Sequence, residues 1–171
     1  KTRINEDTGQ TIISGMGELH LEVLTERLQK EFGISVNVGK PQVSYREAIT
    51  VKSIGEGRYE KQIGGKEISG DVRLEIQPAV EGFKFGNRTT PEIIPQQFIS
   101  AIYKGVSDSL KSGVIAGYPV INIEVNLIGG SFDSVKSTEL GYTIAASLAF
   151  NDALTKAKSV LLEPVMEVEV I

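Results

Sequence analysis

The run "PVINIEVNL" (119–127) alternates apolar and polar residues. "DVRLEIQP" (71–78) does the same, with Val72, Leu74 and Ile76 on one side and Arg73, Glu75 and Gln77 on the other. A period of two marks a strand with one face buried and one face wet. That is the habit of antiparallel sheets, whereas a parallel nucleotide-binding strand is usually apolar on both faces. The apolar face needs a cover, and two stretches of helical periodicity supply it. In "IPQQFISAIYKGVSDSLKSG" (94–113), Pro95 suits a first turn, and Phe98, Ile102, Val106 and Leu110 share a face. In "STELGYTIAASLAFNDALTKA" (137–157), Ser137 is the expected N-cap and Glu139 lies in the first turn. Ala145, Ala146 and Ala149 would let this helix sit close to a sheet, and Leu148 is expected in the core. "YREAITVK" (45–52) reads as a strand, "GFKFGN" (82–87) as the hairpin partner of 71–78, and "VMEVEV" (165–170) as a last strand. The fold class is α+β.

The first forty residues read differently. "TGQTIISGMG" (8–17) is a short strand ending at glycines. "GELHLEVLTERLQKEFG" (17–33) is a helix with Leu21, Leu24, Leu28 and Phe32 at helical spacing and Gly33 as its stop. "ISVNV" (34–38) alternates like a strand, and "GKPQ" breaks the pattern, which puts a boundary near Val43. A strand-helix-strand unit is too small to close its own core, so this segment is expected to be the least stable part. The chain starts at Lys1 without an initiator Met and ends on "MEVEVI", and is expected to be a piece of a longer protein.

Composition removes several chemistries. There is no Cys, so disulfides, zinc-thiolate sites and thiol catalysis are excluded, and a single His, His20, rules out a multi-histidine metal site. The formal net charge is −4, which argues against holding nucleic acid by bulk charge alone but leaves room for a local patch. No apolar run approaches the roughly 18 residues of a membrane span. Glu139, Asp152, Glu163 and Glu169 show no acid/base pairing and read as solvated faces or caps.

Two glycine pairs stand out, Gly64-Gly65 in "KQIGGKEISG" and Gly129-Gly130 in "LIGGSFDSVKSTEL". Neither fits a phosphate-loop or dinucleotide fingerprint: Gly65-Lys66 is followed by Glu67, and position 60 is Glu60. On spacing alone, both are tight turns at positive φ.

Four motifs, "GELHLE", "NVGKPQVSYRE", "IAGYPV" and "LLEPVMEVEV", occur in the order found in elongation factor G, and from residue 8 onward the chain resembles that family. The resemblance implies the end of a ferredoxin-like third domain (1–43) and a fourth domain with the fold of ribosomal protein S5 domain 2 (44–160). It also implies the opening of a fifth domain (161–171). In the intact protein an upstream GTPase domain would bind GTP and magnesium; this segment is expected to carry no cofactor and no catalysis. The implied partners are the ribosome, with tRNA and mRNA at the decoding centre, and the implied state is a cytoplasmic monomer.

The resemblance places two tip loops at the RNA: Gln62, Gly64, Gly65 and Lys66 in the first, and Gly129, Gly130, Ser131, Phe132, Asp133 and Lys136 in the second. Lys61, Lys66 and Lys136 could meet phosphate, and Phe132 is expected to be buried rather than to stack on a base. His20 and Leu24 are implied to lie near the contact with the GTPase domain.

The tip departs from the family. Translocating members carry a G-S-[YF]-H-x-V-D-S pattern; here Asp133 and Lys136 replace the His and the Asp, and "IGGKEIS" follows Gln62 where G-G-R-G-Q-Y is usual. Restoring the pair, Asp133→His with Lys136→Asp, is expected to raise translocation and to leave folding indifferent. The departures leave open a paralogue acting in ribosome recycling or tetracycline-resistance ribosomal protection. Two further readings from other classes are an enzyme that holds a phosphorylated ligand at a Gly-Gly loop and a stand-alone RNA-binding module.

Overall fold

A computed structural model of the chain describes residues 1–5 and 8–165. Its described residues divide into two compact units, one within 1–44 together with Pro164 and Val165, and one of residues 45–163. The expected strand at 165–170 lies outside the described residues except for Val165.

The first unit holds an antiparallel pair, β1 (Thr2–Ile4) and β2 (Thr11–Ile13), and one helix, α1 (Glu18–Lys30). The helix stops where glycine permits it: Gly33 takes φ 65°, and the Ile34 N–H returns to the Leu28 carbonyl. None of its residues is buried; Leu21, Leu24 and Leu28 are half-buried, and Phe32 is 66% exposed. The strand expected at 34–38 does not form, and Ile34, Val36 and Val38 are exposed. Alternation supplies a strand with a face but not with a neighbour, and no described strand pairs with 34–38.

The second unit is built on a four-stranded sheet in the order β4-β5-β7-β6, the numbering following the chain. It starts with β3 (Arg46–Ile49), which pairs with β8 (Ser159–Leu162) in a separate two-stranded sheet. Leu161 and Leu162 therefore lie opposite Glu47 and Arg46. β4 (Ser53–Ile63) and β5 (Lys66–Pro78) form a long hairpin. Its turn is Gly64-Gly65, with φ of 58° and 81°, and two left-handed residues match the twist of the flanking strands. β7 (Ile123–Ser131) runs antiparallel to β5, and β6 (Phe83–Asn87) runs parallel to β7.

So 82–87 is not the partner of 71–78. Both edges of β5 are taken, by β4 and by β7, and a strand has only two. The reversal at 79–82 stays wide, and the later strand inserts into the gap. Asn122, at φ 56°, holds it open: its carbonyl accepts the Ala79 N–H at 2.8 Å and its Oδ1 accepts the Gly82 N–H at 3.1 Å.

One face of the sheet is covered by α2 (Ile99–Ser109), entered through a 3₁₀ turn at Gln96–Phe98, and by α3 (Glu139–Lys156). Val72, Leu74, Ile76, Ile102, Val106, Ile123, Val125, Leu127, Tyr142 and Phe150 are essentially inaccessible. Gly55 and Gly57 let α3 lie directly on the hairpin: a Cβ there would fall 2.0 Å from the Ala149 and Ala145 carbonyl oxygens. Ala145, Ala146 and Ala149 are fully buried as expected, but Leu148 is 45% exposed, since it points away from the sheet that its alanine neighbours touch. The N-cap of α3 is Thr138, not Ser137; the Thr138 Oγ1 accepts the Gly141 N–H at 3.1 Å.

Candidate nucleic-acid interface

The β4–β5 hairpin projects past the helices, and the segment after β7 folds back against it. Gln62, Gly64, Gly65 and Lys66 are all exposed at the hairpin end. Among the described residues, neither Lys61 nor Lys66 has an ion-pair partner.

The second glycine pair does not make a turn. Gly129 and Gly130 lie inside β7, opposite Arg73 and Val72, beyond an irregularity that leaves Ile128 unpaired. Close approach is what requires a glycine at 130: a Cβ would sit 2.2 Å from the Asp71 carbonyl oxygen and 2.8 Å from Ile94 Cδ1. The turn comes later, at 132–138, and Asp133 organises it. Its Oδ1 accepts the N–H groups of Val135 (2.8 Å) and Lys136 (3.1 Å), while its own N–H donates to Ser137 Oγ at 3.0 Å. Those two backbone donors, with the nearby Lys136 charge, hold the Asp133 carboxyl below the ordinary aspartate range. Asp133 is therefore engaged in folding its own loop. An Asp-Ser pair in a loop is an Asx-turn signal that the sequence carried all along.

Lys136 is engaged as well. Its ammonium lies 2.7 Å from Glu67 Oε2 on the hairpin, and this pairing raises its pKa. The backbone follows the same route: Ser69 N–H donates to the Lys136 carbonyl at 2.8 Å, and Thr138 N–H donates to the Ser69 carbonyl at 3.3 Å. Ser131, the last residue of β7, donates from Oγ to Asp71 Oδ2 at 2.9 Å, and its carbonyl accepts the buried Tyr142 hydroxyl at 2.8 Å. Phe132 is neither buried nor free. It is 40% exposed, with its ring 5.8 Å from that of Phe98, which in turn stacks 4.7 Å from Tyr142.

The two tip loops are thus one hydrogen-bonded body around a cleft of about 290 Å³. Glu67, Ser69, Asp71, Ser137 and Tyr142 belong to it, and only the fold reveals them. Its cations, Arg58, Lys61, Lys66 and Lys136, are balanced by Glu60, Glu67, Asp71 and Asp133. A balanced tip does not capture a polyanion by bulk charge; it can present shape, backbone and single cations at chosen points.

These positions also change the expectation for the double substitution at the tip. A histidine at 133 has no carboxylate to accept the two turn N–H groups, and an aspartate at 136 would face Glu67 as a like charge. Asp133→His with Lys136→Asp is therefore expected to loosen the loop rather than to leave folding indifferent.

Elsewhere, His20 is exposed, with its Nδ1 accepting the Met16 N–H at 3.4 Å at the start of α1, and Leu24 is half-buried one turn on. Neither belongs to the unit that carries the tip. Of the carboxylates read as caps or solvated faces, Asp152 pairs with Lys156 and accepts the Glu56 N–H at 3.0 Å. Glu47 carries no local signal in the sequence. It is 1% exposed and accepts the N–H groups of Ile115 (3.0 Å), Ala116 (2.9 Å) and Tyr118 (3.2 Å), tying β3 to the "VIAGYP" loop. Among the described residues, no cluster of acidic or His side chains is arranged to hold a metal ion, and no helix is long and apolar enough to cross a membrane.

A hairpin-and-loop tip on a helix-backed mixed sheet is the architecture of an S5 domain 2-like fold. Residues 41–158 match the family described as elongation factor G, domain IV, and residues 1–40 match elongation factor G, domain III. The chain belongs to the elongation factor G family. It is 49% identical over 166 residues to elongation factor G of Aquifex pyrophilus, a match that covers 96% of this chain and 24% of that protein. A crystal structure of a Thermus thermophilus protein superposes with a TM-score of 0.84 at 41% identity, over 94% of this chain and 24% of that one. The chain thus spans about a quarter of the length of each of these relatives.

Proposed function

We propose that residues 45–163 form a ribosome-binding module whose tip, the Gly64-Gly65 hairpin with the 132–138 loop, enters the decoding centre and promotes movement of tRNA and mRNA. The observation that carries this reading is the joining of two loops, distant in sequence, into one exposed end with a glycine turn at its apex. Glycine at an apex permits close approach of backbone to RNA. In this reading the chain contributes positioning and no catalysis. GTP and magnesium act in a GTPase domain of the same protein, around whose contact His20 and Leu24 lie, and the protein works as a cytoplasmic monomer.

The test is single-turnover translocation beside ribosome-stimulated GTP hydrolysis, using the full-length protein with Lys66→Ala. Translocation is expected to slow while hydrolysis stays within about twofold, because an exposed loop change rarely moves stability by more than about 0.5 kcal/mol. Equal rates for both versions in both assays would remove the Lys66 side chain from the mechanism.

A second reading, ribosomal protection or recycling, is favoured by one observation. The residues standing in place of the family's His and Asp are both engaged within the protein. Release of ribosome-bound tetracycline in a parallel assay separates it from translocation.

A further inference from the structure

The tip carries three lysines that the sequence left equivalent as phosphate contacts, and the structure makes them unequal. Lys136 is 38% exposed along its side chain and is paired with Glu67, whereas Lys61 and Lys66 have no such partner among the described residues. An isolated surface ion pair is worth little because two long side chains must be held still. Here the backbones on both sides are already fixed to each other, through the Ser69 N–H on the Lys136 carbonyl and the Thr138 N–H on the Ser69 carbonyl. Asp133 further fixes the Lys136 N–H. With the chain pinned at these points, less freedom is lost when the ammonium and the carboxylate meet.

We infer that Lys136 is a positioning residue that clasps the 132–138 loop to the hairpin through Glu67, and that Lys66, beside the Gly64-Gly65 turn, is a cation this tip offers to an RNA phosphate. The inference rests on the ribosomal reading above, but the clasp itself is a property of the free protein. The chemistry follows from the geometry. An ammonium already shared with a carboxylate neutralises little phosphate charge and frees few of the cations condensed on the RNA, whereas an unpaired one at a glycine turn frees more of them. Lys136, standing where the family has an acid, then neutralises Glu67 and puts no free cation on the RNA-facing surface. It locks two loops together.

The experiment uses the full-length protein and three kinds of variant: Lys66→Ala; Lys136→Met and Glu67→Met singly; and the exchanged pair Lys136→Glu with Glu67→Lys. The salt dependence of ribosome binding is measured first. Lys66→Ala should reduce the logarithmic salt slope by about one, and Lys136→Met should leave it unchanged. Translocation should slow by a similar factor in Lys136→Met and Glu67→Met, about two- to fivefold, the range for a single exposed pair. The exchanged pair should recover most of that loss. A salt slope reduced in Lys136→Met, or a rate lowered by Lys136→Met but not by Glu67→Met, would mean that Lys136 touches the RNA, and the inference falls.

If none of the variants, Lys66→Ala included, alters the salt slope or the translocation rate, the ribosomal reading has failed and so has the role given to Lys66. The clasp is then judged by amide exchange at Ser69 and Thr138 in the free protein. Faster exchange in both methionine variants, restored in the exchanged pair, supports it; unchanged exchange overturns it.

Discussion

Helix α1 carries leucines at helical spacing and buries none of its residues, whereas α3 presents mostly alanines to its sheet and buries Tyr142, Ala145, Ala146, Ala149, Phe150, Ala153 and Leu154. By hydrophobic content alone the ranking would be less lopsided. The difference lies in the surfaces opposite them. α3 meets a hairpin whose Gly55 and Gly57 have no side chain in the way, so small residues reach the backbone and the larger Phe150 and Tyr142 fill the flanks. Among the described residues, α1 has in its own unit the short β1–β2 pair and an unpaired segment. Apolar spacing creates a demand for cover, and burial depends on whether a matching surface exists.

The largest expected effect tests that contrast directly. Phe150→Ala should cost about 3–5 kcal/mol, the usual range for emptying a buried aromatic site. Leu24→Ala, at a half-covered position, should cost about 1 kcal/mol or less, in keeping with burial worth about 25 cal/mol per Å². Urea unfolding of the two variants gives the comparison, and amide exchange should be fast across 17–32 and slow across 139–156. Equal costs, or equal protection in a proven monomer, would show that α1 has a cover after all.

Next comes the glycine contact. Gly57→Ala places a methyl group against the α3 backbone and should destabilise by about 1–3 kcal/mol, as overpacking generally does. The same change at Gly39 in the first unit, where nothing lies within 4 Å, should be close to neutral. Thermal unfolding of both variants measures the difference.

Glu47 gives a third test of similar or smaller size. Burial pushes its carboxyl up, but the N–H groups of Ala116, Ile115, Tyr118 and Gly117 outweigh that and hold it below the ordinary glutamate range. A folded-state value below the unfolded one adds stability above the unfolded value, near pH 4.3 (an approximate reference figure), and loses it as pH falls through the folded value. Glu47→Gln replaces one acceptor oxygen with a donor facing an N–H, and should cost about 1–3 kcal/mol near neutral pH. That gap should narrow below about pH 4. Urea titrations of both proteins at several pH values check the size and the sign; a gap that widens in acid would contradict the assignment.

The smallest effect belongs to Leu148. At 45% exposure, Leu148→Ala should move stability by no more than about 0.5 kcal/mol, and the higher helix propensity of alanine offsets part of the loss. A loss comparable to that of Phe150→Ala would reverse the assignment of faces on α3.

Much of this was readable from residues in order. The inward set Val72, Leu74 and Ile76, the faces of 94–113 and the alanines of α3 all follow from local periodicity, and Gly64-Gly65 announced its own turn. The misreadings share one cause. The neighbour of 82–87, the pairing of 34–38, the site of the Gly129-Gly130 pair and the exposure of Leu148 each depend on what another part of the chain brings to that place.

At the tip, residue identity said that Asp133 and Lys136 depart from the family, and the loop chemistry of an Asp-Ser pair hinted at the turn. Residue identity could not say that Lys136 would meet Glu67, 69 positions earlier in the chain. By itself the sequence determined the family, the helices and the period of the strands, because backbone preferences and side-chain spacing act within a few residues. Only the tertiary structure decided strand order, the backbone contact of α3 with the hairpin and the partner of each tip lysine. Those depend on distances between segments that become neighbours only when the sheet closes.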